Sequence, residues 1–127
     1  MKNFRIGSEI VSMLKADAEV RRLVGNKIFP IIAVETKEAE VTFPFLIYRR
    51  SGYRPATTKD YQGEIVTVDF AVASKTYNEA VTIADAVCDA LKGKETDIIE
   101  DIKVISLFED FIEEAYVERI TLQIDLK

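Results

Sequence analysis

The sequence predicts a single-domain α+β fold over residues 1–127, with an antiparallel or mixed sheet of about four to five strands and helices packed on one face. Between residues 64 and 93 the hydrophobic period changes once, from strand alternation to helical spacing. The predicted elements run helix, helix, strand, strand, strand, helix, strand, strand, without the βαβ alternation of a parallel doubly wound sheet. A hydrophobic content of 48% in 127 residues is sufficient for one core.

The N-terminal part of the chain is predicted to form two helices. The first covers Asn3–Lys15, although Gly7 costs about 1 kcal/mol relative to alanine and leaves Ser8 as an alternative start. Asp17 is a suitable N-cap for a second, short helix, because its carboxylate can accept from free backbone amides. Gly25 and the asparagine after it are predicted to end that helix.

The next part of the chain is predicted to be mainly extended. Ile28–Val34 is apolar but contains a proline, which cannot donate to a ladder, so an edge strand or an irregular segment is expected. Glu35–Val41 is charged and is predicted to be a loop. Thr42–Arg50 is predicted to be a strand. Ser51–Gly63 holds two glycines and few aliphatic residues, and it is predicted to be a long loop or a hairpin with a mobile tip.

A strand that leads into a capped helix is the clearest local prediction. In the strand the apolar residues alternate with polar or small ones, and they are Val66, Val68, Phe70 and Val72. Thr76 and Glu79 match a capping box, in which the Thr76 hydroxyl accepts from the Glu79 amide and the Glu79 carboxylate accepts from the Thr76 amide. Cys88 lies on the apolar stripe of the helix, and Gly93 is the predicted stop.

Two more strands are predicted at the C-terminus. Ile102–Phe108 and Val117–Leu126 are separated by an acidic turn at Glu109–Ala115, and Lys94–Asp101 precedes them as a polar segment. In the last strand one face is apolar, so the other, polar face is expected to contact solvent or a partner. The apolar residues are Ile120, Leu122, Ile124 and Leu126.

The composition disfavours an enzyme. The chain has no histidine, which removes the commonest general base and metal ligand, and it has no glycine-rich phosphate loop. Its one cysteine cannot form an internal disulfide, which is typical of a reducing compartment, and Cys88 is predicted to be a core thiol. No catalytic residue, metal ligand or cofactor is therefore expected. With no apolar run near the ~20 residues of a membrane span and no signal-like N-terminus, a soluble globular protein is expected.

Charge is distributed unevenly along the chain. Residues 1–63 carry 11 basic and 7 acidic side chains, a net charge of +4, and residues 64–127 carry 6 basic and 15 acidic ones, a net charge of −9. Patches of opposite sign would allow copies of the chain to pair head to tail. Ordinary solvated surface charge is the alternative interpretation.

Two groups of residues are candidates for subunit or partner contacts. A basic and aromatic group surrounds the predicted loop, and it comprises Arg49, Arg50, Tyr53, Arg54, Lys59 and Tyr61. Arginine and tyrosine are common at protein interfaces and also bind nucleic acid, which the sequence pI of about 4.8 disfavours. An acidic group comprises Glu109, Asp110, Glu113 and Glu114, which are compatible with a carboxylate pair or a cation site, whereas a solvated turn is the simpler interpretation.

Several segments together resemble a family of small phage and prophage structural proteins, the tail completion or tail terminator proteins. The matching segments, spread along nearly the whole chain, are residues 14–20, 23–30, 44–48, 66–72, 76–80, 83–87 and 90–91. None of them is a catalytic motif, so the resemblance depends on their joint order.

The resemblance implies a structural role in the virion tail, without chemistry or a cofactor. It implies a homo-oligomeric, six-membered ring at the head-proximal end of the tail, which stops tube growth and docks the head connector, so the tail-tube protein and the connector are the expected partners. No membrane and no specific nucleic acid are expected. Another virion neck or joining protein is the alternative, ahead of a carboxylate enzyme using Glu113 and Glu114 or a nucleic-acid-binding module.

Overall fold

A computed structural model describes residues 2–31, 42–58 and 61–127. A 3₁₀ turn (Lys2–Arg5) precedes the regular elements. These are α1 (Ile6–Ala16), α2 (Ala18–Val24), β1 (Ile28–Pro30), β2 (Phe45–Thr58), β3 (Tyr61–Ser74), α3 (Tyr77–Leu91), β4 (Ile99–Ile112) and β5 (Ala115–Leu126). The observed order of helices and strands confirms the predicted one.

The strands form one mixed sheet in the order β1-β2-β3-β5-β4. The short β1 runs parallel to β2, and the other neighbouring pairs are antiparallel. This arrangement confirms the predicted α+β class and strand number. It places β3 and β5 in the interior of the sheet, with β1 and β4 at its two edges.

The two N-terminal helices form as predicted, with one difference. Gly7 lies inside α1, so the alternative start at Ser8 is wrong. A Cβ at Gly7 would lie 3.1 Å from the Tyr48 ring, so the glycine permits close packing of α1 on β2. Asp17 caps α2 by accepting from the amides of Glu19 and Val20 at 3.1 and 3.0 Å.

The segment predicted to be a loop or a hairpin is a hairpin. β2 runs to Thr58 and β3 starts at Tyr61, with pairs from Pro55↔Glu64 to Thr58↔Tyr61, so the loop interpretation is wrong. The two strands satisfy each other's backbone groups, which outweighs the turn-like composition. A bulge lies at Ser51–Gly52. The predicted loop Glu35–Val41 and the predicted hairpin tip lie outside the described residues.

The predicted capping box is confirmed in one half. The Glu79 amide donates to the Thr76 hydroxyl at 3.2 Å. The Glu79 carboxylate accepts instead from the Ser74 hydroxyl at 2.6 Å, and the Thr76 amide donates to that same hydroxyl at 3.3 Å. Ser74 is fully buried at the end of β3, so it takes the bridging position that the capping box assigns to the glutamate. Gly93, at φ 72°, follows the end of α3 as predicted.

The C-terminal hairpin is longer than predicted. β4 begins at Ile99 and continues to Ile112, so Glu109 and Asp110 lie in a strand and the predicted seven-residue turn is wrong. Only Glu113 and Glu114 form the turn, with φ values of 50° and 65°. Two residues with positive φ match the twist of the flanking strands, so the ladder closes with the shortest connection.

The core lies between the helices and one face of the sheet. The predicted alternation in β3 and β5 is confirmed, because Phe70, Leu122 and Ile124 are at most 1% exposed. From the helices, Ile10, Leu14, Ile83 and Leu91 complete the core. Cys88 packs against this cluster, and burial raises the pKa of its thiol, as expected for a core residue.

Candidate functional site

The basic and aromatic candidate residues lie along β2, at one side of the sheet. Arg49 opposes Asp69 in the ladder and forms an ion pair with it at 3.6 Å. Arg50 faces the helix side, where its guanidinium lies 4.7 Å from the centre of the Phe4 ring. These two arginines therefore project from opposite faces of the sheet.

The other members of this group lie nearer the hairpin tip. Tyr53 is 46% exposed, and Arg54 is exposed without an ion-pair partner among the described residues. Tyr61 is the first residue of β3, and Lys59 lies outside the described residues. The structure thus places four of the described candidates on β2 and Tyr61 at the start of β3, rather than on a loop.

The acidic candidate residues lie at the opposite side and the opposite end of the sheet. Glu109 and Asp110 are in β4, the edge strand, and Glu113 and Glu114 form its turn with β5. Asp110 accepts from the Arg119 guanidinium at 3.0 Å. Because Ser74, at the end of β3, pairs next to this turn, the acidic turn lies at the opposite end of the strands from Thr58 and Tyr61.

Glu109 belongs to a carboxyl pair that the sequence did not reveal. It faces Glu118 across the β4–β5 ladder, and it also accepts a hydrogen bond from the hydroxyl of Tyr77. Burial, together with the facing Glu109, raises the pKa of Glu118 to about 7. Hydrogen bonds from the Glu118 carboxyl and Tyr77 lower the pKa of Glu109. The two carboxyl groups therefore titrate as a coupled pair rather than independently.

The sheet face that carries no helices contains a groove of about 780 Å³. Small residues at its centre, Ala71 and Ala73, leave space between the aromatic walls of Phe45 and Phe108. The two arginine–aspartate pairs, Arg49–Asp69 and Asp110–Arg119, line this apolar floor. Asp69 and Asp110 are each paired with an arginine, and a third acidic residue, Glu113 of the turn, also lines the groove.

An exposed apolar surface on β4 is the strongest feature that the sequence analysis missed. We call it the β4 strip, and its members, 43–64% exposed, are Ile105, Leu107, Phe108, Phe111 and Ile112. They lie on both faces of the strand. The signal was present in the sequence, because apolar residues persist through the segment that was interpreted as an acidic turn.

The described residues show neither a metal cluster nor a membrane helix. Across residues 2–31, 42–58 and 61–127, no three cysteine, aspartate or glutamate side chains are grouped to bind a metal ion. Within the same ranges no helix is both long and apolar enough to cross a bilayer.

Comparison with known structures finds the same fold in a virus-like particle. A chain of the virion of a native gene transfer agent particle superposes with a TM-score of 0.76 at 16% identity. The match covers 92% of this chain and 90% of that one. At this identity the likeness is one of fold. A comparison with curated protein sequences finds no significant match.

A family model identifies the chain at the sequence level. The model of tail completion protein gp17 matches residues 8–125, which includes all helices and strands from α2 to β4 and nearly all of α1 and β5. The resemblance drawn from the sequence segments is therefore confirmed. This chain belongs to the tail completion protein gp17 family and is a structural component of the phage virion tail.

Proposed function

We propose that this chain is a tail terminator, which assembles as a ring of six copies at the head-proximal end of the tail, stops growth of the tail tube and docks the head connector. The family match over residues 8–125 is the observation that carries the proposal. A structural role of this kind needs neither a cofactor nor catalytic residues.

The distribution of charge supports assembly into a closed ring. The basic residues of β2 and the acidic residues of β4 lie at different sides of the sheet, so neighbouring copies can join unlike surfaces. A contact between unlike surfaces is heterologous, and repeating it by a constant rotation closes a ring.

Two measurements test the terminator proposal. Native mass spectrometry and light scattering of the purified protein report its oligomeric state, and electron microscopy reports whether it binds the ends of purified tail tubes of its phage. We expect rings of six copies, free or at one tube end, and tubes that no longer elongate when tube protein is added. A protein that stays monomeric and leaves tubes unbound and growing would contradict the proposal.

A different neck or joining protein is the second candidate, favoured by the same family match. The tube experiment separates the two, because a joining protein would bind the connector while tube elongation continued. A nucleic-acid-binding role has less support, since Arg49 is paired with Asp69 and Arg50 packs on Phe4. Glu113 and Glu114 are exposed at the turn, where Glu113 also lines the groove, and a carboxylate enzyme has less support than a structural role because the family match is to a tail protein.

A further inference from the structure

We propose that the β4 strip of one copy is covered by the outer edge of β2 from a second copy, so that the sheets of neighbouring copies continue into each other. The inference rests on the proposed assembly of several copies, and it identifies the surfaces that join them. It goes beyond the candidate contact residues, because it assigns the central role to apolar residues and to backbone pairing.

The first argument is the exposure of the β4 strip. Leu107 and Phe111 are 64% and 62% exposed on the helix side of the sheet, and Phe108 is 52% exposed on the groove side. The helix α3 packs mainly on β3 and β5 and reaches this part of β4 through the hydrogen bond from Tyr77 to Glu109, while the members of the β4 strip stay exposed. A group of exposed apolar side chains on one edge strand marks an interaction site in a folded protein.

The second argument is the open edge. β4 is the last strand of the sheet, and among the described residues no strand lies beyond it. Its outward N–H and C=O groups therefore form a row that another strand can pair with. A strand added at this edge would bring its own side chains over both faces of β4, where the β4 strip is exposed.

The third argument selects the occupant. Within the described residues, β1 covers β2 only from Leu46 to Tyr48, so the outer edge of β2 from Arg49 to Arg54 also lacks a neighbouring strand. Pro55, which has no N–H, marks the limit of that stretch. Arg49 and Arg54 of this stretch are opposite in charge to Glu109 and Asp110 of β4, so the two edges are complementary in charge.

Charge also disfavours the symmetric alternative. If β4 paired with β4 of a second copy, Glu109 and Asp110 of one copy would approach the same carboxylates of the other, which is destabilising in a ladder. The β2–β4 contact joins unlike edges from opposite sides of the sheet, so it leaves one free edge of each kind for the next copy.

The first test substitutes one exposed residue of the β4 strip. In Leu107→Lys a charged side chain blocks edge pairing, and we expect the apparent association constant to fall about tenfold or more, the loss typical of an interface hot spot. Ala18→Lys is the control, because Ala18 is an exposed apolar residue on α2, which packs on α1 and α3. It should assemble like the unmodified protein, and circular dichroism with thermal melting should show that both variants are folded.

The second test identifies the occupant by crosslinking. Two differently tagged copies, both with Cys88→Ser, carry either Leu107→Cys or Tyr53→Cys, which lie on the same face of their sheets, and are mixed, assembled and treated with a short bis-maleimide. We expect crosslinks between unlike tags. Crosslinks only between two Leu107→Cys copies would indicate β4–β4 pairing and overturn the proposed occupant.

The two tests separate this inference from the proposed function. Rings that form normally with Leu107→Lys, or rings without crosslinks between unlike tags, would overturn the β2–β4 contact and leave the terminator role intact. If free protein stays monomeric, the same mixtures are assembled on tail tubes. Protein that neither forms rings nor binds tubes would overturn both proposals.

Discussion

At the scale of single residues, the facing carboxyl groups of Glu118 and Glu109 make stability depend on pH. The folded state holds the pKa of Glu118 at about 7, above the value of about 4.3 expected for an unfolded chain. Between these values the folded state binds more protons than the unfolded state, so this group lowers the free energy of unfolding as pH rises towards 7. The lowered pKa of Glu109 acts in the opposite sense, and only at more acidic pH.

Removing the charge of Glu118 should therefore stabilise the protein at alkaline pH. Glu118→Gln keeps a hydrogen-bond donor towards Glu109 and removes the repulsion, so we expect a gain on the order of 1 kcal/mol at pH 8, after allowance for solvent screening, and little change near pH 5. Urea denaturation from pH 5 to pH 8 measures the effect. Glu114→Gln, on the exposed turn, is the control and should follow the unmodified protein. An unchanged pH slope in Glu118→Gln would contradict the assignment.

Ser74 links strand β3 to helix α3 by two hydrogen bonds and is fully buried. Ser74→Ala leaves the Thr76 amide and the Glu79 carboxylate without this partner, so we expect a loss of about 1–3 kcal/mol in the free energy of unfolding. Thr76→Ala removes the N-cap alone and should cost about 1 kcal/mol. Urea denaturation compares both with Thr82→Ala, whose hydroxyl bonds only within the exposed face of α3. Equal stability of Ser74→Ala and Thr82→Ala would refute the bridging role.

At the scale of elements, local signals were predictable and pairing was not. The helix ends depend on residues that are close together in the sequence, such as Asp17 and the amides of Glu19 and Val20 that donate to it. The helix ends could therefore be predicted from the sequence. The hairpins depend on pairing between strands. Pairing with β3 extends β2 through the glycine-containing segment, and pairing with β5 extends β4 through Glu109 and Asp110. The Glu109–Glu118 pair and the groove depend on strand register, which periodicity alone does not specify.

The hairpin tip should be separable from the fold. Pairing of β3 with β5 begins at Glu64, so residues 56–58 and 61–63 extend past the central sheet. Replacing residues 56–63 by Asn-Gly joins Pro55 to Glu64, which already face each other, through a two-residue turn. We expect a folded protein with a similar thermal midpoint and impaired assembly, measured by circular dichroism and light scattering. Normal rings from this variant would show that the tip makes no essential contact.

At the scale of the whole molecule, charge and apolar surface have different roles in assembly. Charged rims mainly accelerate encounter, whereas buried apolar contacts mainly slow dissociation. The basic side of the sheet at β2 and the acidic side at β4 should therefore steer copies into one orientation, and the β4 strip should hold them there.

Salt should separate these two contributions. Raising NaCl from about 0.05 M to about 0.5 M shortens the screening length to a few ångströms, so we expect slower association with a nearly unchanged dissociation rate. Stopped-flow light scattering measures both rates. Arg54→Gln should weaken the salt dependence, whereas Arg22→Gln, at an exposed cation on α2, should not. A salt effect confined to dissociation would argue against steering.

At the Glu113–Glu114 turn, the residues that would best stabilise the fold differ from the charged residues that are present. Both residues adopt positive φ, a conformation that asparagine and glycine accept far more readily than glutamate. Asn-Gly at these two positions should raise the free energy of unfolding by about 1 kcal/mol. The native turn thus forgoes stability and retains two exposed negative charges at the end of β4. If the two negative charges serve assembly, the Asn-Gly variant will have a higher free energy of unfolding as a monomer and will form fewer rings.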